Sequence, residues 1–153
     1  MKNRYLLSMA LLASIAFVLL SACTFSPKNH NVYLIPKGYT GWVFIIYHQN
    51  SASEIIAQDG TYQYKIGSNG VLKTATEDVR YGITTDDYFY IDEENNRIGL
   101  DPDELIHSHT VTKAETQGGL QYPAVESFFV GTEAQLSKNP KVVYPPDVKP
   151  IND

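Results

Sequence analysis

This chain carries one cysteine, Cys23, at the end of the run Leu20-Ser21-Ala22-Cys23. A branched apolar residue, two small residues and a cysteine form a lipobox when they close a secretory signal. The residues before them have that layout. Lys2 and Arg4 supply the positive start, and Leu6 to Leu20 is apolar except at Ser8 and Ser14. The chemistry explains why cysteine is needed. Its thiolate sulfur is the nucleophile that accepts a diacylglyceryl group, and cleavage then frees an amino group that can take a further chain. Each buried methylene contributes about 0.8 kcal/mol, so one chain holds marginally while two or three anchor firmly. The sequence therefore predicts a signal peptide over 1–22 and a lipidated cysteine with its linker over 23–31. The expected location is the bacterial cell membrane, lipid-anchored and facing outside the cytoplasm. The alternative is an uncleaved helix, since 6–22 sits at the lower edge of the roughly 17–25 residues that span a bilayer.

Other constellations could carry chemistry with less specific spacing. His107-x-His109 would place two imidazoles on one strand face, with Asp101, Asp103 and Glu104 near enough in sequence to add oxygen ligands. Two histidines without a defined third ligand more often lie on an exposed edge strand. Asp86-Asp87 and Asp92-Glu93-Glu94 do not follow the calcium-loop spacing and read as solvated turns. His48 ends an apolar run and reads as a strand-end or hydrogen-bonded histidine rather than a base. Trp42, Phe44 and Ile46 share a strand face, so packing explains the tryptophan better than sugar stacking. Tyr39, in the turn Pro36-Lys37-Gly38-Tyr39-Thr40-Gly41, is the aromatic residue expected to be exposed for a ligand. No Gly-x-Ser-x-Gly elbow, phosphate loop or His-Glu-x-x-His motif is present. No cofactor is implied.

Composition narrows the classes. With Cys23 lipidated the domain has no thiol left, which excludes disulfides, zinc–cysteine sites and a cysteine nucleophile. Loss of Lys2 and Arg4 leaves 10 basic against 17 acidic residues, a net charge of −7. Such a surface is a poor match for phosphate backbones, so nucleic acid is not an expected partner.

The elements that would position these residues read as β. Val32–Ile35, Trp42–His48, Tyr62–Ile66, Val71–Thr74, Tyr88–Ile91, Arg97–Leu100, His107–Glu115 and Ser127–Val130 are the predicted strands. The run Trp42–His48 is apolar on both faces and reads as a central core strand. In Tyr62–Ile66 the tyrosines and Ile66 point inward while Gln63 and Lys65 point outward. Asn69-Gly70 suits a tight turn. Short helical turns are expected at Asp101–Leu105 and Thr132–Leu136. Without crossover helices, parallel strands are not expected. The predicted fold is mainly β, a single antiparallel sandwich over 32–137, of transthyretin-like or immunoglobulin-like type. A Pro-rich tail at 138–153, with Pro140, Pro145, Pro146 and Pro150, is expected to be frayed or draped on the surface.

The run Tyr33-Leu34-Ile35-Pro36-Lys37-Gly38-Tyr39-Thr40-Gly41-Trp42-Val43 resembles the opening signature of a bacterial domain-of-unknown-function family found in small lipoproteins. Asp59-Gly60-Thr61-Tyr62, Gly70-Val71-Leu72-Lys73-Thr74 and Tyr88-Phe89-Tyr90-Ile91-Asp92 continue the likeness, which spans roughly residues 31–132. The resemblance implies a single exported domain and no particular reaction. A looser similarity to transthyretin-like or carboxypeptidase-regulatory-like sandwiches, through the Asp-Gly-x-Tyr turn and strand, bears on fold alone.

The expected function is a membrane-anchored, non-catalytic module that binds an envelope protein or a wall polymer. The alternatives are a metal- or small-ligand module using His107 and His109, and a hydrolase of unrecognised type. Cys23→Ser should abolish lipidation, because a hydroxyl is a far weaker nucleophile than a thiolate. Labelling cells with a radioactive fatty acid checks this: label retained by the variant contradicts the lipobox reading.

Overall fold

Alternating and two-faced apolar runs make strands only where a second layer can cover them. A computed structural model, which describes residues 29–80, 84–116, 119–140 and 148–151, shows how that happens. Among the described residues, eight strands and two single-turn helices follow one another. They are β1 (Asn29–Pro36), β2 (Gly41–Ile46), β3 (Thr61–Lys65), β4 (Val71–Lys73), β5 (Thr84–Ile91), β6 (Arg97–Gly99), α1 (Pro102–Leu105), β7 (Ile106–Thr112), β8 (Val125–Val130) and α2 (Glu133–Leu136). They form two four-stranded sheets. Sheet A has the order β3-β1-β5-β6 and sheet B the order β4-β2-β8-β7. The predicted mainly β sandwich is therefore present. Both helical turns lie where expected, α1 capped by the Asp101 carboxylate and α2 by a Thr132–Gln135 capping box.

The pairing corrects the antiparallel expectation. β1 runs parallel to β3 and to β5, and β2 runs parallel to β4; the other three pairings are antiparallel. Parallel neighbours do need a crossover, but here a strand of the opposite sheet supplies it. The chain passes from β1 in sheet A to β2 in sheet B and back to β3 in sheet A. It then crosses again to β4, beside β2. The purely antiparallel pairing of immunoglobulin sandwiches is not this arrangement. A second correction concerns the linker. β1 reaches back to Asn29, because His30 and Asn31 pair with Thr61 and Tyr62 on one side and with Thr85 and Asp86 on the other. Residues 29–31 are strand.

The main core lies between the sheets. Tyr33 and Ile35 of β1, Tyr64 of β3 and Tyr88 of β5 meet Val43, Ile45, Phe128 and Val130 from sheet B. Register places Tyr33 beside both Tyr64 and Tyr88. The three rings stack with centroids 4.8 Å apart, and Phe128 packs edge-on against Tyr33 and Tyr88. β2 is buried on both faces, as its sequence indicates. Its outer residues Phe44 and Ile46 pack with Val125, Val71 and Trp42, and Val148 of the C-terminal segment lies over them. The described part of the tail is thus draped on sheet B: Asn139 accepts a hydrogen bond from the Trp42 indole, and Ile151 donates one to Gln121.

Trp42 accordingly sits half-buried on the outer face rather than in the main core. Gly70 closes the turn before β4 with φ +78°, and a Cβ there would collide with the Tyr39 hydroxyl and the Trp42 carbonyl. The two aromatic sites should differ in worth. Phe128→Ala, at a fully buried site, should cost about 3–5 kcal/mol. Trp42→Ala should cost less, about 1.5–3 kcal/mol. Urea melts of the two variants check the order, and equal losses would place Trp42 in the core.

Candidate functional site

The inward face of β8 carries a charge. Phe128 and Val130 point between the sheets, so period two puts Glu126 there as well. It is only 3% exposed, the one carboxylate of the buried class among the described residues. A buried carboxylate must regain from the protein the hydrogen bonds that water gave it. Tyr33, from the facing sheet, donates to Oε1 at 2.6 Å, and Tyr47, just past the end of β2, donates to Oε2 at 2.7 Å. His109 Nε2 lies 2.8 Å from Oε1, and its Nδ1 lies 3.0 Å from the Tyr88 hydroxyl. Nε2–H donates to Glu126, and Nδ1 shares a hydrogen bond with the Tyr88 hydroxyl.

These contacts set the titration. Burial pushes the Glu126 carboxyl up, but hydrogen bonds from His109, Tyr33 and Tyr47, with the charge of His109, outweigh it and hold the group below its ordinary value of 4.5. Burial and the Glu126 charge push the hydroxyls of Tyr33 and Tyr47 far up. Burial with Asp86 and Glu126 does the same to Tyr88. Tyr64 is pushed up to about 12, mainly by burial. The network thus holds an anion surrounded by hydroxyls that keep their protons.

Beside it lies a cavity of about 200 Å³ whose wall includes Asn31, Tyr33, Tyr64, Arg80, Asp86, His109 and Glu126. Asn31 Nδ2 donates to Asp86 at 2.9 Å. The Arg80 guanidinium lies 3.9 Å over the Tyr62 ring, and its Nη2 donates to the Ile55 carbonyl at 3.0 Å.

The residues singled out in sequence are dispersed. Cys23 lies outside the described residues. His107 and His109 do not share a site. A bulge falls between His107 and Thr110, with Ser108 at φ +55°. His107 instead lies 3.2 Å from the Glu104 carbonyl. Asp103 is exposed in α1, and its amide donates to Asp101. No group of three or more metal-ligating side chains forms among the described residues. Tyr39 is not the exposed contact expected of it: its ring is half-buried over the Asn69-Gly70 turn, and its hydroxyl donates to the Trp42 carbonyl at 2.5 Å. Burial pushes that hydroxyl up. His48 is a strand-end residue with φ +53°, outside the Glu126 network. Asp87 meets His30 at 2.8 Å, and Asp92 caps its own hairpin through the Asn96 amides.

Residues 27–140 match the model of the family of unknown function DUF6843, and the chain belongs to that family. The match contains the span suggested by the Tyr33–Val43 signature. Among solved structures the chain is similar to the crystal structure of a candidate lipoprotein from Bacillus anthracis. The TM-score is 0.59 and the identity 21%, covering 76% of this chain and 82% of that one. This likeness shows a shared fold. No curated protein matches the chain.

Glu126→Ala should destabilise the domain by about 3–5 kcal/mol, because it strands two tyrosine hydroxyls and an imidazole. Acid should act through the same group. Its folded value is depressed, so its stabilisation is complete above the ordinary 4.5 and is lost as pH falls through the lowered value. Urea midpoints above and below pH 4.5 check this. Glu126→Gln should shallow the acid loss, and a slope unchanged in that variant would contradict the assignment.

Proposed function

We propose that this protein is an extracytoplasmic lipoprotein, held to the membrane through Cys23, whose sandwich acts as a non-catalytic binding module of the cell envelope. The observation that carries this reading is the short interval between Cys23 and β1, which begins at Asn29. Five residues lie between them, a reach of roughly 18 Å when extended. The parallel arrangement of β1, β3 and β5 then gives the domain a defined polarity. Their N-terminal ends lie on the anchor side and their C-terminal ends away from it. The turns at 37–40, 67–70 and 92–96, with α1 and α2, gather at the far end.

That far end holds the feature best placed to meet a partner. A groove of about 620 Å³ runs between Pro36, Lys37 and Lys65 on one side and Ile91, Asp92, Glu93 and Asn95 on the other. Its mixed charges and apolar floor suit a peptide segment or a wall polymer in reach of a tethered domain. The Glu126 network reads as a structural one, because burial holds the hydroxyls of Tyr33, Tyr47 and Tyr88 far above their ordinary range and they keep their protons.

A photo-crosslinking residue placed at Ser68 or Asn95 should capture an envelope component in intact cells, while one at Asp59, on the anchor side, should not. Crosslinks from Asp59 alone would reverse the orientation. No crosslink from either tip position would remove the tip from the function.

A further inference from the structure

Both faces of sheet B are apolar, but only one of them meets sheet A. Val43 and Ile45 of β2, with Phe128 and Val130 of β8, point into the layer between the sheets. Period two turns Trp42, Phe44 and Ile46 outward, beside their register partners Phe129, Ser127 and Val125. A sheet face left to water would expose such residues, yet Phe44 is 8% exposed and Ile46 and Val125 are each 1% exposed. The C-terminal segment contributes to their cover. Val148 packs against Phe44, Ile46 and Val125. At the Trp42 end of the face the indole donates to the Asn139 carbonyl at 3.0 Å. Past the Val125 end the Ile151 amide donates to the Gln121 carbonyl at 2.8 Å.

These contacts have the form of a bound peptide rather than of a further strand. Pro140, Pro145, Pro146 and Pro150 lack the amide hydrogen that a ladder needs, and they favour the polyproline conformation. A segment of this composition adheres through its side chains and through single carbonyl bonds. The face offers what such a segment requires. Trp42 and Phe129 meet edge-on with centroids 5.6 Å apart, Phe44 lies beside them on β2, and the indole N–H is aimed at a main-chain carbonyl. The segment is also separable from the sandwich. The last strand and helix, β8 and α2, end before it, and the family match ends at residue 140, short of Val148 and Ile151. Val148, Pro150 and Ile151 are only half-buried and Lys149 is exposed, so the hold is partial.

We propose that the outer face of sheet B is a binding site for extended, proline-rich peptides, and that the chain's own C-terminal segment occupies it in cis. The segment acts as an internal competitor, and a proline-rich partner gains the face only by displacing it. Tethering gives the segment a high effective concentration, so a partner must bind more tightly or be held close to the same surface. The face is distinct from the far-end groove and from Cys23. Failure of this site would leave both of those readings standing.

The chain's single tryptophan reports on the face directly. The test compares the full chain in phosphatidylcholine vesicles with its Val148→Asp variant, which sets a charge against Phe44, Ile46 and Val125. Trp42 emission should move to longer wavelength in the variant, as water reaches the indole. A synthetic peptide of residues 139–153 should reverse that shift with a dissociation constant below about 1 mM. The unaltered chain should take the same peptide at least about tenfold more weakly, because its own segment competes. A peptide with the four prolines replaced by alanine should also bind the variant about tenfold more weakly, having lost its preset conformation. No peptide binding to the variant up to about 10 mM overturns the site. Equal affinity of the two chains overturns the occupation in cis, and equal affinity of the two peptides overturns the proline-rich class. Should Val148→Asp fail to fold, urea titration of the unaltered chain decides. The change in Trp42 emission should then precede the loss of far-ultraviolet dichroism, since the segment releases before the sandwich unfolds. Coincident transitions in that titration would overturn the proposal.

Discussion

A carboxylate buried between two β-sheets constrains everything packed around it. Glu126 contributes a charge to a layer otherwise filled by tyrosine, phenylalanine and branched aliphatic side chains. The domain tolerates it because Tyr33, Tyr47 and His109 return its hydrogen bonds. Tyr33 comes from the opposite sheet, and so does Tyr88, which reaches His109. These two hydroxyls are polar links across the layer. They fix where β1 and β5 stand over β7 and β8 more sharply than interchangeable apolar contacts could, since a slip by one residue would turn Tyr33 away from the charge. The same slip would break the three-tyrosine stack, because Tyr64 and Tyr88 are register partners of Tyr33 on either side.

The topology makes this possible. Alternation of the chain between sheets lets β1 sit between two parallel neighbours without any helical crossover. Three tyrosines from strands far apart in sequence are thereby brought into one row. The arrangement also sorts the molecule by height. Asn31, Thr84 and Asp86, near the strand starts, surround the small charged cavity, whereas the turns at the strand ends form the far groove. Two candidate sites of different character thus lie at opposite ends of one sandwich: a small cavity lined by charges of both signs and a larger cleft, both open to solvent.

Much of this fold is legible in the sequence. Tyr62–Ile66 alternates, Trp42–His48 is apolar on both faces, and Asn69-Gly70 marks its turn; the strands fall where these signals put them. Parallel pairing was not legible, because local residues carry no record of which sheet receives the next strand. The Glu126 network was hidden for a related reason: its tyrosine partners lie 93 and 79 residues away. A charged residue beside an apolar run also reads as the strand's boundary, which is why the sequence puts the start of the last strand at Ser127 rather than Val125. The usable signal was the spacing Glu126, Phe128, Val130, which places the charge on the inner face. His107-x-His109 misled through the bulge at Ser108, since one extra residue breaks the alternation on which a shared face depends. Tyr39 departs from the exposure its turn suggests because its ring packs over a second turn, brought in between β3 and β4. Arg80 and Asn31 have no sequence motif at all, and only the closed fold sets them on one cavity.

The Tyr33–Glu126 bond couples the two sheets. A double-mutant cycle measures that coupling directly, with Tyr33→Phe and Glu126→Gln made singly and together and unfolding followed in urea. The double variant should lose less than the sum of the singles, with a coupling of about 1–3 kcal/mol for a buried, charge-assisted bond. Strictly additive losses would mean that the hydroxyl and the carboxylate stabilise the domain independently, and the proposed link between the sheets would not exist.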